Sequence, residues 1–84
     1  MSSWLKCSLE PGMLPGEYAV EMQTSEGRTV SLFAPEDKVR ANDRLIRIEI
    51  LKENSVASLV CLPSPAFEIS SRTVEVPSSA VIKT

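Results

Sequence analysis

The chain has 84 residues, 43% apolar and 24% charged, with a formal net charge of −2. That length makes one domain and buries about 60–65% of its unfolded surface, so its stability margin is thin. The slightly acidic balance argues against strong nonspecific nucleic-acid binding, and the absence of histidine removes Ser-His and Cys-His nucleophile pairs and most zinc sites.

Charge is unevenly distributed. Residues 1–27 set Lys6 against Glu10, Glu17, Glu21 and Glu26, whereas the basic side chains concentrate in 28–52. The two cysteines, Cys7 and Cys61, form no C-x-x-C pair and read as buried free thiols used as small apolar residues. The N-terminal M-S-S-W-L-K lacks the basic n-region and long apolar h-region of a signal peptide, and no apolar run reaches the ~18–20 residues of a membrane span. The expected location is the cytoplasm, without a membrane partner.

Alternation with period two marks the strands. Trp4–Leu9 places Leu5, Cys7 and Leu9 on one side and Trp4, Lys6 and Ser8 on the other. Glu10–Gly16 holds two Pro-Gly pairs, read as two turns with glycine at positive φ and Met13 and Leu14 at the tip. Glu17–Thr24 turns Tyr18, Val20 and Met22 inward. Ser25-Glu26-Gly27 is a hairpin loop into Arg28–Ala34, where Val30 and Leu32 point inward. Pro35–Asp43 mixes charges and has room for one helical turn over 35–38.

Arg44–Lys52 sets Ile46, Ile48 and Ile50 on one face, with Leu45 and Leu51 at the ends of the other. Val56–Leu62 is apolar on both faces: Val56, Val60 and Leu62 against Ala57, Leu59 and Cys61. Pro63-Ser64-Pro65 is expected to end it, since proline cannot continue a central strand. Phe67 and Ile69 anchor the connection to a strand at Arg72–Val76, and Ala80–Lys83 resumes extended structure. The predicted core is Val20, Met22, Val30, Leu32, Ile46, Ile48, Ile50, Val60 and Val74.

Five to six short strands without helices predict an all-β fold, a small antiparallel barrel or roll. The segment Val76-Pro77-Ser78-Ser79-Ala80-Val81-Ile82 resembles the end of SH3-like barrels, where a strand runs into a Pro-Ser-x-x-Val turn of 3₁₀ helix and a short last strand. The resemblance implies an SH3-like roll, with the Pro-Gly loop serving as the long first loop. It does not imply proline-peptide binding: the aromatic-acidic opening motif and the paired groove tryptophan are absent, and Ala80 stands where a groove tyrosine is common. An OB-like barrel or small sandwich is the alternative fold.

The candidate chemistry is sparse. Glu17, Glu21, Glu26, Glu49 and Glu75 read as a solvated outer face rather than as acid–base pairs. Lys38, Arg40, Arg44 and Arg47, with Arg72, are the residues for an anion or nucleic-acid contact, and Phe33 is the aromatic placed to stack beside them. Met13, Leu14, Phe33, Leu45 and Leu59 are apolar residues that one core face does not absorb, which suggests a surface for another protein chain or a second copy. G-M-L-P-G is not a nucleotide loop. The expectation is a non-catalytic interaction module or accessory subunit that self-associates, without cofactor or metal; a nucleic-acid-binding small barrel is the alternative.

Overall fold

The computed structural model describes residues 2–84. The fold is all-β. Among the described residues nine strands run in chain order: β1 Ser3–Lys6, β2 Ser8–Pro11, β3 Glu17–Gln23, β4 Thr29–Pro35, β5 Val39–Arg40, β6 Leu45–Glu53, β7 Ala57–Ala66, β8 Ser71–Pro77 and β9 Val81–Lys83. Two single 3₁₀ turns, Glu36–Lys38 and Ser78–Ala80, are the only helical structure among the described residues. Among the described residues, no helix is long and apolar enough to cross a membrane.

The strands form two antiparallel sheets. One has the order β8-β7-β6-β1-β9, with β5 pairing to β6; the other is β2-β3-β4. A shortest extent of 17 Å leaves room for two packed layers and one core between them. Strand number exceeds the expected five to six because one expected strand is divided between the sheets and because the short β5 and β9 add to the larger sheet. Trp4–Leu9 is interrupted at Cys7: β1 pairs with β6 and β9, whereas β2 pairs with β3.

The core follows the alternation. Leu5, Val20, Met22, Val30, Leu32, Ile46, Ile48, Val60 and Val74 are buried together, joined by Ala34, Leu62, Ala66 and Val76. Ile50 is only half-buried, because a register shift between Ile50 and Lys52 turns the end of β6 outward and leaves Leu51 exposed. Ser58, the one buried polar residue among those described, exchanges a 2.8 Å hydrogen bond with Ser78, whose hydroxyl also donates to the Asn54 carbonyl oxygen.

Turn chemistry explains the connections, with three corrections. Gly27 (φ 82°) closes the β3–β4 hairpin and Gly16 (φ 77°) the second Pro-Gly turn. Gly12 does not take positive φ. Its N–H donates to the Glu17 carbonyl, and a Cβ there would lie 2.7 Å from that oxygen, so close approach demands glycine. Nor do Pro63 and Pro65 end β7. Ladder pairing with β8 lapses between Cys61 and Ala66, so neither proline is asked for a donor and the chain stays extended. Val56, expected inside the strand, lies in the preceding turn and is exposed.

The sheets are clasped at two points. The Phe67 N–H donates to the Ser31 carbonyl, and the Glu68 carboxylate accepts from both the N–H and the hydroxyl of Ser31. These bonds occupy the Ser31 backbone groups on the free edge of β4, where unpaired groups would otherwise invite another strand. The Ser31 hydrogen bonds hold the Glu68 carboxyl below its ordinary pKa by favouring the charged form. At the other end, Ser25 bonds Glu75 of β8 through both backbone and side chain.

Candidate functional site: an acidic aromatic face

The outer face of β2-β3-β4 follows from strand phase. Val20, Met22, Val30, Leu32 and Ala34 point into the core, so Ala19, Glu21, Ser31 and Phe33 point away from it. Register places Glu10, Ala19 and Phe33 in one row across the sheet, and Ser8, Glu21 and Ser31 in the next. Phe67, reaching across from the end of β7, packs edge-to-face on Phe33 with ring centroids 5.4 Å apart. Phe67 remains 62% exposed.

This ring pair stands between two shallow depressions. One, of about 380 Å³, is lined by Ala19, Ser8, Ser31, Glu10 and Glu21 among others. The other, of about 490 Å³, is lined by Glu17, Ser64, Pro65, Ala66 and Ser70. Both include Phe33 and Phe67, and neither is lined by any lysine or arginine. Met13 (83% exposed) and Leu14 (65% exposed) lie on the loop at the Glu17 end of the same sheet. An aromatic surface ringed by carboxylates suits a partner's cationic side chains and their alkyl stems.

Leu45 does not belong to any exposed surface. It is 5% exposed, opposite Lys6 of β1 and Arg40 of β5 on the outer face of the larger sheet. Trp4, on the same face opposite Arg47, is 6% exposed, and the Arg40 guanidinium lies 4.3 Å from its ring centroid. The two form a satellite cluster outside the main core, with β5 acting as its cover. Leu59 is half-buried on that sheet, in register with Lys52 and Glu75, and is not part of the Phe33 face. Phe67 and Ile69 do not fold over the outer face of β7: Phe67 meets Phe33, and Ile69 packs against the core.

The four expected anion contacts are not brought together. Lys38 and Arg47 line one depression, joined by Arg72. Arg40 is engaged with Trp4, and Arg44, at φ 56° in the turn before β6, lines a different hollow with Cys7, Leu45 and Ile82. Phe33 lies on the acidic face, not beside the basic residues as the sequence suggests. Among the described residues, no group of three or more Cys, Asp and Glu is placed to hold a metal ion.

Cys7 and Cys61 are free, and both are half-buried rather than buried. Burial pushes the Cys7 thiol up to about 11. Its labelling by a disulfide reagent should therefore be about a hundredfold slower than in the unfolded chain, where the ordinary value is 9.0, and should climb with pH towards about 11. Between those two values the unfolded chain releases this proton before the folded one does, so stability falls as pH rises from about 9 to about 11. Fast native-state labelling of Cys7 at neutral pH contradicts this. Comparison with known protein families, curated proteins and solved structures finds no match to this chain.

Proposed function

We propose that this domain is a non-catalytic protein-interaction module that docks a basic segment of another protein on the outer face of β2-β3-β4. The observation that carries the reading is the pair of half-buried Phe33 and exposed Phe67, beside two depressions whose only charged lining residues are Glu10, Glu17 and Glu21. Aromatic anchors supply most of the affinity at such surfaces, and complementary charge supplies association rate and selectivity. Met13 and Leu14 extend the apolar contact at the Glu17 end. Two free cysteines agree with a reducing compartment such as the cytoplasm.

The strand order β8-β7-β6-β1-β9, with a 3₁₀ turn immediately before β9, supports reading the larger sheet as an SH3-like roll. In that reading β2-β3-β4 is an elaborated first loop that has become the docking platform. It stands in place of the aromatic groove that the sequence lacks.

The test uses a short fluorescent peptide rich in arginine and leucine, with a glutamate-for-arginine counterpart as control. The wild-type chain is expected to bind the basic peptide saturably and to ignore the acidic one. Phe67→Ala should weaken binding about tenfold or more, with folding retained because the ring is largely exposed. Glu10→Gln combined with Glu21→Gln should slow association and flatten its salt dependence. A chain that instead sediments as a dimer, dispersed by Leu59→Arg, would move the contact surface to β7 and make a second copy the partner.

A further inference from the structure

A separate depression of about 190 Å³ lies on the larger sheet, lined by Lys38, Arg47 and Arg72, with Glu49 as the one carboxylate on its wall. The three cations come from three elements: Lys38 ends the first 3₁₀ turn, Arg47 is on β6 and Arg72 on β8. Pairing across the sheet assembles them. Glu49 of β6 opposes Cys61 of β7, and Cys61 opposes Thr73, the neighbour of Arg72.

Arg72 is held in place. Its Nε donates to the Leu62 carbonyl at 3.0 Å, which uses one donor of the guanidinium and leaves the terminal N–H groups free to turn to a ligand. None of the three cations has a carboxylate partner within 4.0 Å; among the described residues the one such ion pair is Lys83–Glu53. Glu49 offsets one of the three cations, and the net positive charge left in the hollow attracts an anion.

We propose that Lys38, Arg47 and Arg72 form a binding site for a single phosphate group, as inorganic phosphate or as a phosphate monoester. Two arginines and a lysine converging from different elements match a compact, multiply charged tetrahedral anion, which arginine forks bind bidentately. A nucleic-acid strand would need basic residues along a track and rings to stack on. No aromatic residue lines this depression, Trp4 is buried, and Phe33 is on the acidic face. Glu49 opposes the anion and tempers its affinity.

The experiment is an NMR titration of the isotope-labelled chain at fixed ionic strength and mildly alkaline pH, where a monoester is dianionic. The probes are inorganic phosphate, phenyl phosphate and a short single-stranded oligonucleotide. Inorganic phosphate or phenyl phosphate should shift the Lys38, Arg47 and Leu62 amides and the Arg72 Nε–H signal saturably; the tighter of the two identifies the source. Arg72→Gln and Lys38→Gln should each weaken binding roughly tenfold, and Glu49→Gln should tighten it a few-fold. Lys38→Gln keeps the test valid should Arg72→Gln disturb the strand. Non-saturating shifts, affinity unchanged in Lys38→Gln, or tighter binding of the oligonucleotide across a wider surface would overturn the proposal.

Discussion

Trp4→Ala should destabilise the domain by about 3–5 kcal/mol, read from the midpoint of urea unfolding. Trp4 is the only tryptophan in the chain, and at 6% exposure it is buried on what a strand pattern marks as the outer face. Its ring fills the space beneath Arg40, and truncation leaves that space empty. The indole Nε1 has no hydrogen-bond partner, so Trp4→Phe removes a buried unpaired donor and should recover much of the loss. Arg40→Ala should shift the tryptophan emission to the red with a much smaller change in stability, since it uncovers the ring without removing it. An unchanged spectrum in Arg40→Ala, or a Trp4→Ala chain within about 0.5 kcal/mol of wild type, would show that β5 does not cover this cluster.

Ile46→Ala should cost about 2–5 kcal/mol through lost transfer energy and the cavity left behind. Ile46 is fully buried, and its backbone pairs with Leu5 of β1 on one edge and Val39 of β5 on the other. Collapse into the vacated volume would require both neighbours to move, which places the expected cost towards the upper end of that range. A domain of this length has about 4–13 kcal/mol of total stability, so this one substitution can leave a substantial unfolded fraction. Thermal unfolding followed by circular dichroism reads the effect. A melting temperature within a degree or two of wild type would contradict the assignment of Ile46 to the centre of the core.

Much of the fold was legible because one face of most strands is buried. Period two in Glu17–Thr24 and Arg44–Lys52 identifies Val20, Met22, Ile46 and Ile48 as core without knowledge of their neighbours. Pattern fails where the outer face is also covered. Trp4 and Leu45 are out of phase with the core, and the residue over the Trp4 ring, Arg40, lies far along the chain in a two-residue strand with no periodic signal. The same holds for the edge of β4. Glu68 caps Ser31 from a segment that reads as a plain connection, and nothing local indicates that a loop carboxylate will reach a distant strand.

The candidate face was half legible. Phe33 is out of phase with Val30 and Leu32, and that alternation alone marks it as outward-facing. Its setting was not readable, because it depends on which strands adjoin. Pairing puts Phe33 beside Ala19 and Glu10, and the end of β7 brings Phe67 against it. The basic residues beside it in sequence end on the other sheet. Likewise, Arg72 joins Lys38 and Arg47 only through the pairing of β6, β7 and β8, whereas Arg40 and Arg44, closer in sequence, point to other surroundings.

The most direct test of the docking face is an amide-resolved NMR titration of the wild-type chain with the arginine-leucine peptide. The predicted result is a saturable response confined to the outer face of β2-β3-β4 and its rim: Glu10, Ala19, Glu21, Ser31, Phe33 and Phe67, extending to Met13 and Leu14. Shifts centred on Leu59 and β7, an equal response to the acidic control peptide, or no saturable response at all would contradict it.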